Sequence, residues 1–385
     1  MAAEVEQGLV QGHFAARFSP LKDLFESLIV SGRDTGASLA VVVDDEMVVD
    51  LWGGWTDEEK TKPWQSDTII NVWSTTKTMT SLVALMLADS GELDLDAPVA
   101  RYWPEFAANG KSAIRVRHLL SFSSGVSGWE QPLQIEDLCD WDKCTSLLAA
   151  QAPWWQPGTA SGYHSLNYGF LVGEVVRRIT GRKTGEYFAQ DVAQRLKADF
   201  HIGVPDGEFH RIASVIPPEV GIDVSSLDRS TPAYKTLSNP ALDARASWTD
   251  AWRRADIAAC NGHGNARSVA RVQSIIANGG EAGGVRLLST RGVARIFQPQ
   301  VNGIDLVLGM PLKMGMGFGL PQPQLTPFIP DGRCAFWGGW GGSIVLADAD
   351  RRMTIAYVMN KMEGGTVGGT NAAELVACAY NSFGV

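Results

Sequence analysis

Ser74 and Lys77 stand three residues apart in Trp73-Ser74-Thr75-Thr76-Lys77, at the entrance to the apolar segment Met79 to Ala88. Residues three apart share a helical face, so in a helix the amine lies beside the hydroxyl. An amine that loses hydration at the rim of a buried helix favours its neutral form, and a neutral amine can take a proton from a neighbouring serine. The pair reads as a nucleophile with its activator. Tyr163, just ahead of a helical pattern that starts at Ser165, is a third group of this kind. A free phenol titrates at about 10, too high for a base at neutral pH. A lysine ammonium within roughly 4–6 Å would lower that value and make the two groups titrate as a coupled pair. Either Lys77 or tyrosinate then takes the serine proton, and the phenol returns it to a leaving group. The spacing is cheap by itself, because Ser19-Pro20-Leu21-Lys22 repeats it. There the serine reads as a helix cap, with proline in the first turn and lysine in solvent.

The elements around these residues follow from periodicity. Ser74 fits a helix N-cap; Met79, Leu82, Val83, Met86 and Leu87 repeat at helical spacing, and Gly91 stops them. The run Leu82 to Ala88 is apolar on every side, which predicts a buried helix. Phe18 to Ile29, Arg115 to Leu120, Ser165 to Ile179 and Asn371 to Phe383 read as further helices. Ala37 to Val43 and Met47 to Trp52 flank Asp44-Asp45-Glu46, and Ser343 to Ala347 and Met353 to Met359 flank Asp348-Ala349-Asp350; both are β-hairpin patterns. Arg333 to Trp337 is another strand signal, running into a glycine cluster. Strands at both ends around a helical middle predict an α/β (α+β) protein: one antiparallel sheet built from both termini and flanked by helices, with a helical domain inserted. The expected division is 1–85 with 270–385 for the sheet domain and 86–269 for the helical one, with the active site between them.

Composition narrows the function classes. The 385 residues are 45% hydrophobic and carry a net charge of −9, without a basic run. Nucleic acid and anionic membranes are therefore not expected as partners, and no apolar run is long enough to span a bilayer. Met1 to Glu6 is acidic and lacks the apolar core of a signal peptide. The five cysteines are scattered, with no CxxC, as suits reduced thiols in a cytoplasm. No serine has the Gly-x-Ser-x-Gly surroundings of a Ser-His-Asp hydrolase. His13, His118, His164, His201, His210 and His263 show no metal-ligand spacing, and His164 reads as a neighbour of the site. Gly315-Met316-Gly317-Phe318-Gly319 lacks the strand–helix setting of a nucleotide fingerprint. Neither cofactor nor metal is expected.

Taken together, Ser74-Thr75-Thr76-Lys77, Tyr163-His164-Ser165 and Trp337-Gly338-Gly339, with Val116 to Gly125 as a further landmark, resemble the serine β-lactamase and penicillin-recognising superfamily. They are most similar to its family VIII carboxylesterase branch. The resemblance implies catalytic roles for Ser74, Lys77 and Tyr163, and an oxyanion site made by the backbone N–H groups of Ser74 and Trp340. Glycines at 338 and 339 let backbone approach a ligand closely. Where the lactamases carry a lysine, Trp337 is bulky and neutral, which favours neutral esters over anionic lactams. Some of Trp129, Trp141, Trp154 and Trp155 are expected to line an apolar pocket. The expected function is hydrolysis of short- to medium-chain carboxylic esters through an acyl-Ser74 intermediate, with a small-molecule ester as partner. The rivals are a β-lactamase or D-amino-acid peptidase, an acyltransferase, and a non-catalytic scaffold on the same fold.

Overall fold

Strand-forming stretches from opposite ends of the chain pair side by side in the computed structural model, which describes residues 2–5, 9–365 and 367–384. β3 (Gly36–Val43) and β4 (Glu46–Gly54) form a hairpin. Asp44 and Asp45 at its tip take left-handed φ values of 50° and 69°, as a tight hairpin turn requires. The C-terminal strands β12 (Cys334–Gly338), β13 (Ile344–Asp348) and β14 (Met353–Met359) join this hairpin where β14 pairs antiparallel with β3, Ala356 opposite Ala40. The N-terminal strands β1 (Ala2–Val5) and β2 (Val10–Ala15), which the periodicity did not single out, add the far edge. The seven-stranded order is β1-β2-β4-β3-β14-β13-β12.

β3, β13 and β14 are buried along their whole length. That explains their nearly unbroken apolar sequences, since strands covered on both faces need not alternate. Cover comes from α10 (Ala266–Ala277), packed on β3, β13 and β14, and from α1 (Ser19–Val30) with α12 (Thr370–Phe383), which pack on each other and on the sheet. Ser19 is the first residue of α1 rather than its cap, and Lys22 pairs with Glu26 at 2.7 Å instead of standing free in solvent.

Between the two halves of the sheet the chain runs through α2 (Thr76–Ser90), α3 (Val116–Leu120), α4 (Trp141–Ala150), α5 (Tyr168–Thr180), α6 (Thr184–Phe188), α7 (Gln194–Leu196), α8 (Pro232–Ser238) and α9 (Asp250–Arg254). A small sheet of β5 (Ile70–Asn71), β6 (Phe200–Ile202) and β7 (Gly262–Gly264), in the order β5-β7-β6, stitches this region together. Two short hairpins, β8 (Glu281–Ala282) with β9 (Val285–Arg286) and β10 (Val301–Ile304) with β11 (Pro311–Met314), and the helix α11 (Thr290–Ile296) complete the return to β12. The boundaries expected at 85/86 and 269/270 fall inside α2 and α10.

α2 is the axis of the molecule. Every residue from Thr76 to Ala88 is buried, as its all-round apolar run predicts, and Gly91 ends it at φ 88°. It packs on α5, which starts at Tyr168, three residues later than the pattern suggested. α5 also carries Glu174, a buried carboxylate that accepts from Trp141 Nε1 at 2.8 Å, Arg177 Nε at 2.8 Å and Arg178 Nε at 2.6 Å. Glu174→Ala should therefore cost about 2 kcal/mol in urea denaturation, less than a fully enclosed pair because both arginines reach solvent.

Candidate active site

The chain leaves β5 through Trp73, whose φ of 49° is left-handed, a conformation that costs a bulky residue about 1–3 kcal/mol. The rings of Trp252, at 5.8 Å, and Trp340, at 5.1 Å, pack against it and hold it there. Ser74 follows in a short 3₁₀ turn, Trp73–Thr75, ahead of α2. Its hydroxyl caps nothing, contrary to the sequence expectation, and is free to meet Tyr163 and Lys77 instead. Hydrogen bonds made by Ser343, Thr76 and Gly262 fix the turn. The Ser343 hydroxyl donates to Val72 O at 2.8 Å and lies 3.0 Å from Thr75 Oγ1. Thr76 Oγ1 donates to Trp73 O at 2.6 Å and accepts from the Gly262 amide at 2.9 Å. The Val72 amide donates to Gly262 O at 2.8 Å.

Lys77 projects from the first turn of α2 and is 1% exposed. Its Nζ lies 2.9 Å from both Ser74 Oγ and Tyr163 Oη, 2.7 Å from Ser165 O and 3.0 Å from Ala259 O. Burial drives its pKa down to about 7. A neutral amine has two N–H donors and one lone pair. The two carbonyls can only accept, so in the neutral form they would take both N–H groups and leave the lone pair to one of the two hydroxyls.

Tyr163 hydrogen-bonds Ser74 directly, so the two side chains that the sequence put 3 and 86 positions from Lys77 converge with it. Burial pushes the phenol above its usual range, despite the opposing hydrogen bond from Ser74. This corrects the expectation of a phenol lowered by a neighbouring ammonium. The amine that would have supplied the charge is itself desolvated and loses its proton first. Phe122, at a left-handed φ of 59°, packs edge-on against Tyr163 at 5.3 Å. His164 turns away from Ser74: its Nε2 lies 2.6 Å from Ser124 Oγ and its Nδ1 2.6 Å from Gly162 O. Burial pushes its pKa down to about 3, so it is a neutral strut for the Tyr163 loop.

The glycine cluster splits in two. Trp337 is 1% exposed and lies against Tyr163 at 5.7 Å, behind the phenol rather than on the cavity wall. Trp340 faces the cavity beside Ser74. At Gly339 a Cβ would collide with Val72 O and Ser343 Oγ, and at Gly338 with the backbone of Gly368. Gly339 lets the strand end lie directly on the nucleophile turn, and Gly338 lets it lie on the backbone at 367–368. The amides of Gly339 and Gly342 are bonded within the turn and that of Gly341 donates to Gly365 O at 2.8 Å, whereas the Trp340 amide has no acceptor among the described residues. Gly339→Ala should lift Trp340 off the site, with a kcat loss of roughly 10-fold or more at unchanged helix content by circular dichroism.

Besides Trp73 and Trp340, the walls of the cavity over Ser74 include Ile222, Leu237, Leu242 and Cys260. The free space is about 20 Å³, room for a single water. None of the four tryptophans expected there lines it. Trp129 and Trp141 pack on Phe170 at 5.6 and 5.2 Å, Trp154 bonds Glu130, and the Trp155 indole donates to Ala160 O. Three of the walls, Ile222, Leu237 and Leu242, come from 222–242, a segment without a motif, and sequence reasoning missed them for that reason. It also missed Thr75, Ser343 and Asp305, which act on the site through hydrogen bonds made in the folded chain. Among the described residues no group of acidic, histidine and cysteine side chains could hold a metal ion.

A sheet assembled from both termini, an inserted helical region and a Ser-x-x-Lys helix meeting a tyrosine are features of one family. The chain belongs to the β-lactamase family, whose profile matches residues 21–379, and it is a serine hydrolase of that family. It is similar to Esterase/beta-lactamase LipL of Mycobacterium tuberculosis, 33% identical over 361 residues, 90% of this chain and 82% of the relative. A family VIII carboxylesterase crystal structure superposes with a TM-score of 0.91 at 38% identity, covering 97% of this chain and 99% of the other. A penicillin-binding protein homologue from Caulobacter crescentus superposes at 0.90 and 35% identity, with the same coverage.

Proposed function

We propose that this protein is a serine carboxylesterase that hydrolyses esters of short acyl chain through an acyl-Ser74 intermediate. The observation that carries the reading is the donor count at Lys77. With both N–H groups taken by Ser165 O and Ala259 O, the neutral amine can only accept from a hydroxyl. Lys77 is the base that takes the Ser74 proton as Oγ attacks the ester carbonyl. Tyr163, kept protonated by burial, donates its proton to the departing alkoxide and regains one from Lys77. The tetrahedral oxyanion sits between the Ser74 and Trp340 amides, each such donor being typically worth a few kcal/mol. Water then attacks the acyl-enzyme with the same groups in reverse.

The walls support a short, neutral substrate. Free space of about 20 Å³ suits an acetyl methyl, and among the described residues no arginine or lysine lines the cavity to hold a substrate carboxylate. Acetate esters should be turned over at least roughly 10-fold faster than octanoates, and Leu242→Ala should move the optimum to longer chains. A p-nitrophenyl ester panel that includes a cephalosporin checks this; faster octanoate or lactam turnover would refute it. A phosphonylating serine reagent should add one equivalent on Ser74 by mass spectrometry, and no adduct there would favour the scaffold. No helix of the described residues is long and apolar enough to cross a membrane. All five cysteines are free, which supports a cytoplasmic setting. We also assign the site to the junction of the sheet domain, 1–85 with 270–385, and the helical domain, 86–269.

A further inference from the structure

The Tyr163 segment has no regular structure of its own, yet its phenol must stay within hydrogen-bond reach of Ser74, just ahead of α2, and of Lys77 in its first turn. What holds it is a carboxylate from far along the chain. Asp305 lies in the loop between β10 and β11 and is fully buried. Its Oδ1 accepts from the Tyr163 amide at 3.0 Å, and from the amides of Val307 and Leu308 at 2.9 Å each. Its Oδ2 is buried with no hydrogen-bond partner among the described residues. Next to it, the Leu306 amide donates to Ser161 O at 2.8 Å, so the hairpin loop grips both sides of Gly162. The loop is tied off internally by Asp305 N to Met310 O at 3.0 Å and Gly309 N to Asp305 O at 2.9 Å. A buried carboxylate with one oxygen unsatisfied is costly to keep. A turn that needed only a local cap would be served by a residue with no second oxygen to bury, and of the three bonds that Oδ1 accepts the one that leaves the hairpin is the bond to Tyr163.

We infer that Asp305 is the positioning residue of Tyr163, a clamp that carries the rigidity of the β10–β11 hairpin to the proton-donating phenol. The inference rests on the reading of Tyr163 as the donor to the leaving alcohol. If the clamp slips, acylation suffers where protonation matters most, with a poor leaving group, because a nitrophenolate departs without help while an ethoxide does not. A displacement of the phenol by about 1 Å is enough to matter, at a cost near 10²-fold.

The test compares kcat/KM, normalised by active-site titration, for p-nitrophenyl acetate and ethyl acetate. Tyr163→Phe should lower the ethyl ester by roughly 10²-fold or more and the aryl ester by roughly 10-fold. Asp305→Ala should reproduce this unequal loss, Asp305→Asn should recover most of it because its Oδ1 accepts the same amides, and Asp305→Ala should add less than about 3-fold on top of Tyr163→Phe. Equal losses on both esters in Asp305→Ala, beside unequal ones in Tyr163→Phe, would overturn the clamp alone. Equal losses in Tyr163→Phe itself would overturn the proton-donor reading instead. An asparagine variant as impaired as the alanine one also counts against the clamp. Should the alanine chain not fold, Asp305→Ser, which keeps one hydroxyl acceptor, is read the same way.

Discussion

Ser74→Ala should lower kcat for p-nitrophenyl acetate by roughly 10⁴-fold or more and abolish phosphonate labelling, while thermal unfolding stays within a few degrees of the parent. The size of the loss follows from the role: without Oγ there is no acyl-enzyme, and the remaining amides stabilise an oxyanion that nothing forms. The small structural effect follows from the network. Lys77 Nζ and Tyr163 Oη remain 2.9 Å apart, and Lys77 keeps the carbonyls of Ser165 and Ala259, so no buried polar group is stranded. Because the unit acts together, adding Lys77→Ala to Ser74→Ala should cost little more than Ser74→Ala alone. Substantial esterase activity in Ser74→Ala, after re-purification, would remove the nucleophile from the scheme.

Lys77→Ala should cost roughly 10³-fold in kcat/KM and should also erase the acid limb of the pH profile. In the parent, burial holds the amine near pH 7. Below that pH it is an ammonium without a lone pair, so kcat/KM should fall tenfold per pH unit; above it, the rate should level off. The same group shapes stability. Folded Lys77 gives up its proton at about 7 and the unfolded chain only near its ordinary 10.5, so between those values the unfolded state binds more protons. Its contribution to stability therefore rises with pH across that window and is least favourable below 7. A pH–rate profile with its acid limb well above pH 8 would mean a charged resting lysine and would shift the base role to Tyr163.

How much of this could be read from the chain alone depends on the range of the physics involved. The Asp44-Asp45 hairpin, the buried run Leu82 to Ala88 and the stop at Gly91 are set by residues adjacent in sequence, and they stand as the periodicity predicts. The set Ser74, Lys77, Tyr163 was legible because a helix fixes its first two members and an ordered series of motifs marks the third. The start of α5 was not, because Ser165 turns its carbonyl to Lys77 and Asn167 donates to Val126 O, bonds no local pattern encodes. Nor were the cavity walls, which come from a motif-free segment, or the inert places of Trp129 and Trp141 around Phe170.

The sequence by itself determined which functional groups are present, in what order, and on which local elements they ride. Only the tertiary structure decided their protonation and their aim. Desolvation of Lys77 and Tyr163, and the reach of Asp305 across 142 positions to one amide, are properties of the assembled interior. No stretch of chain carries them before it folds.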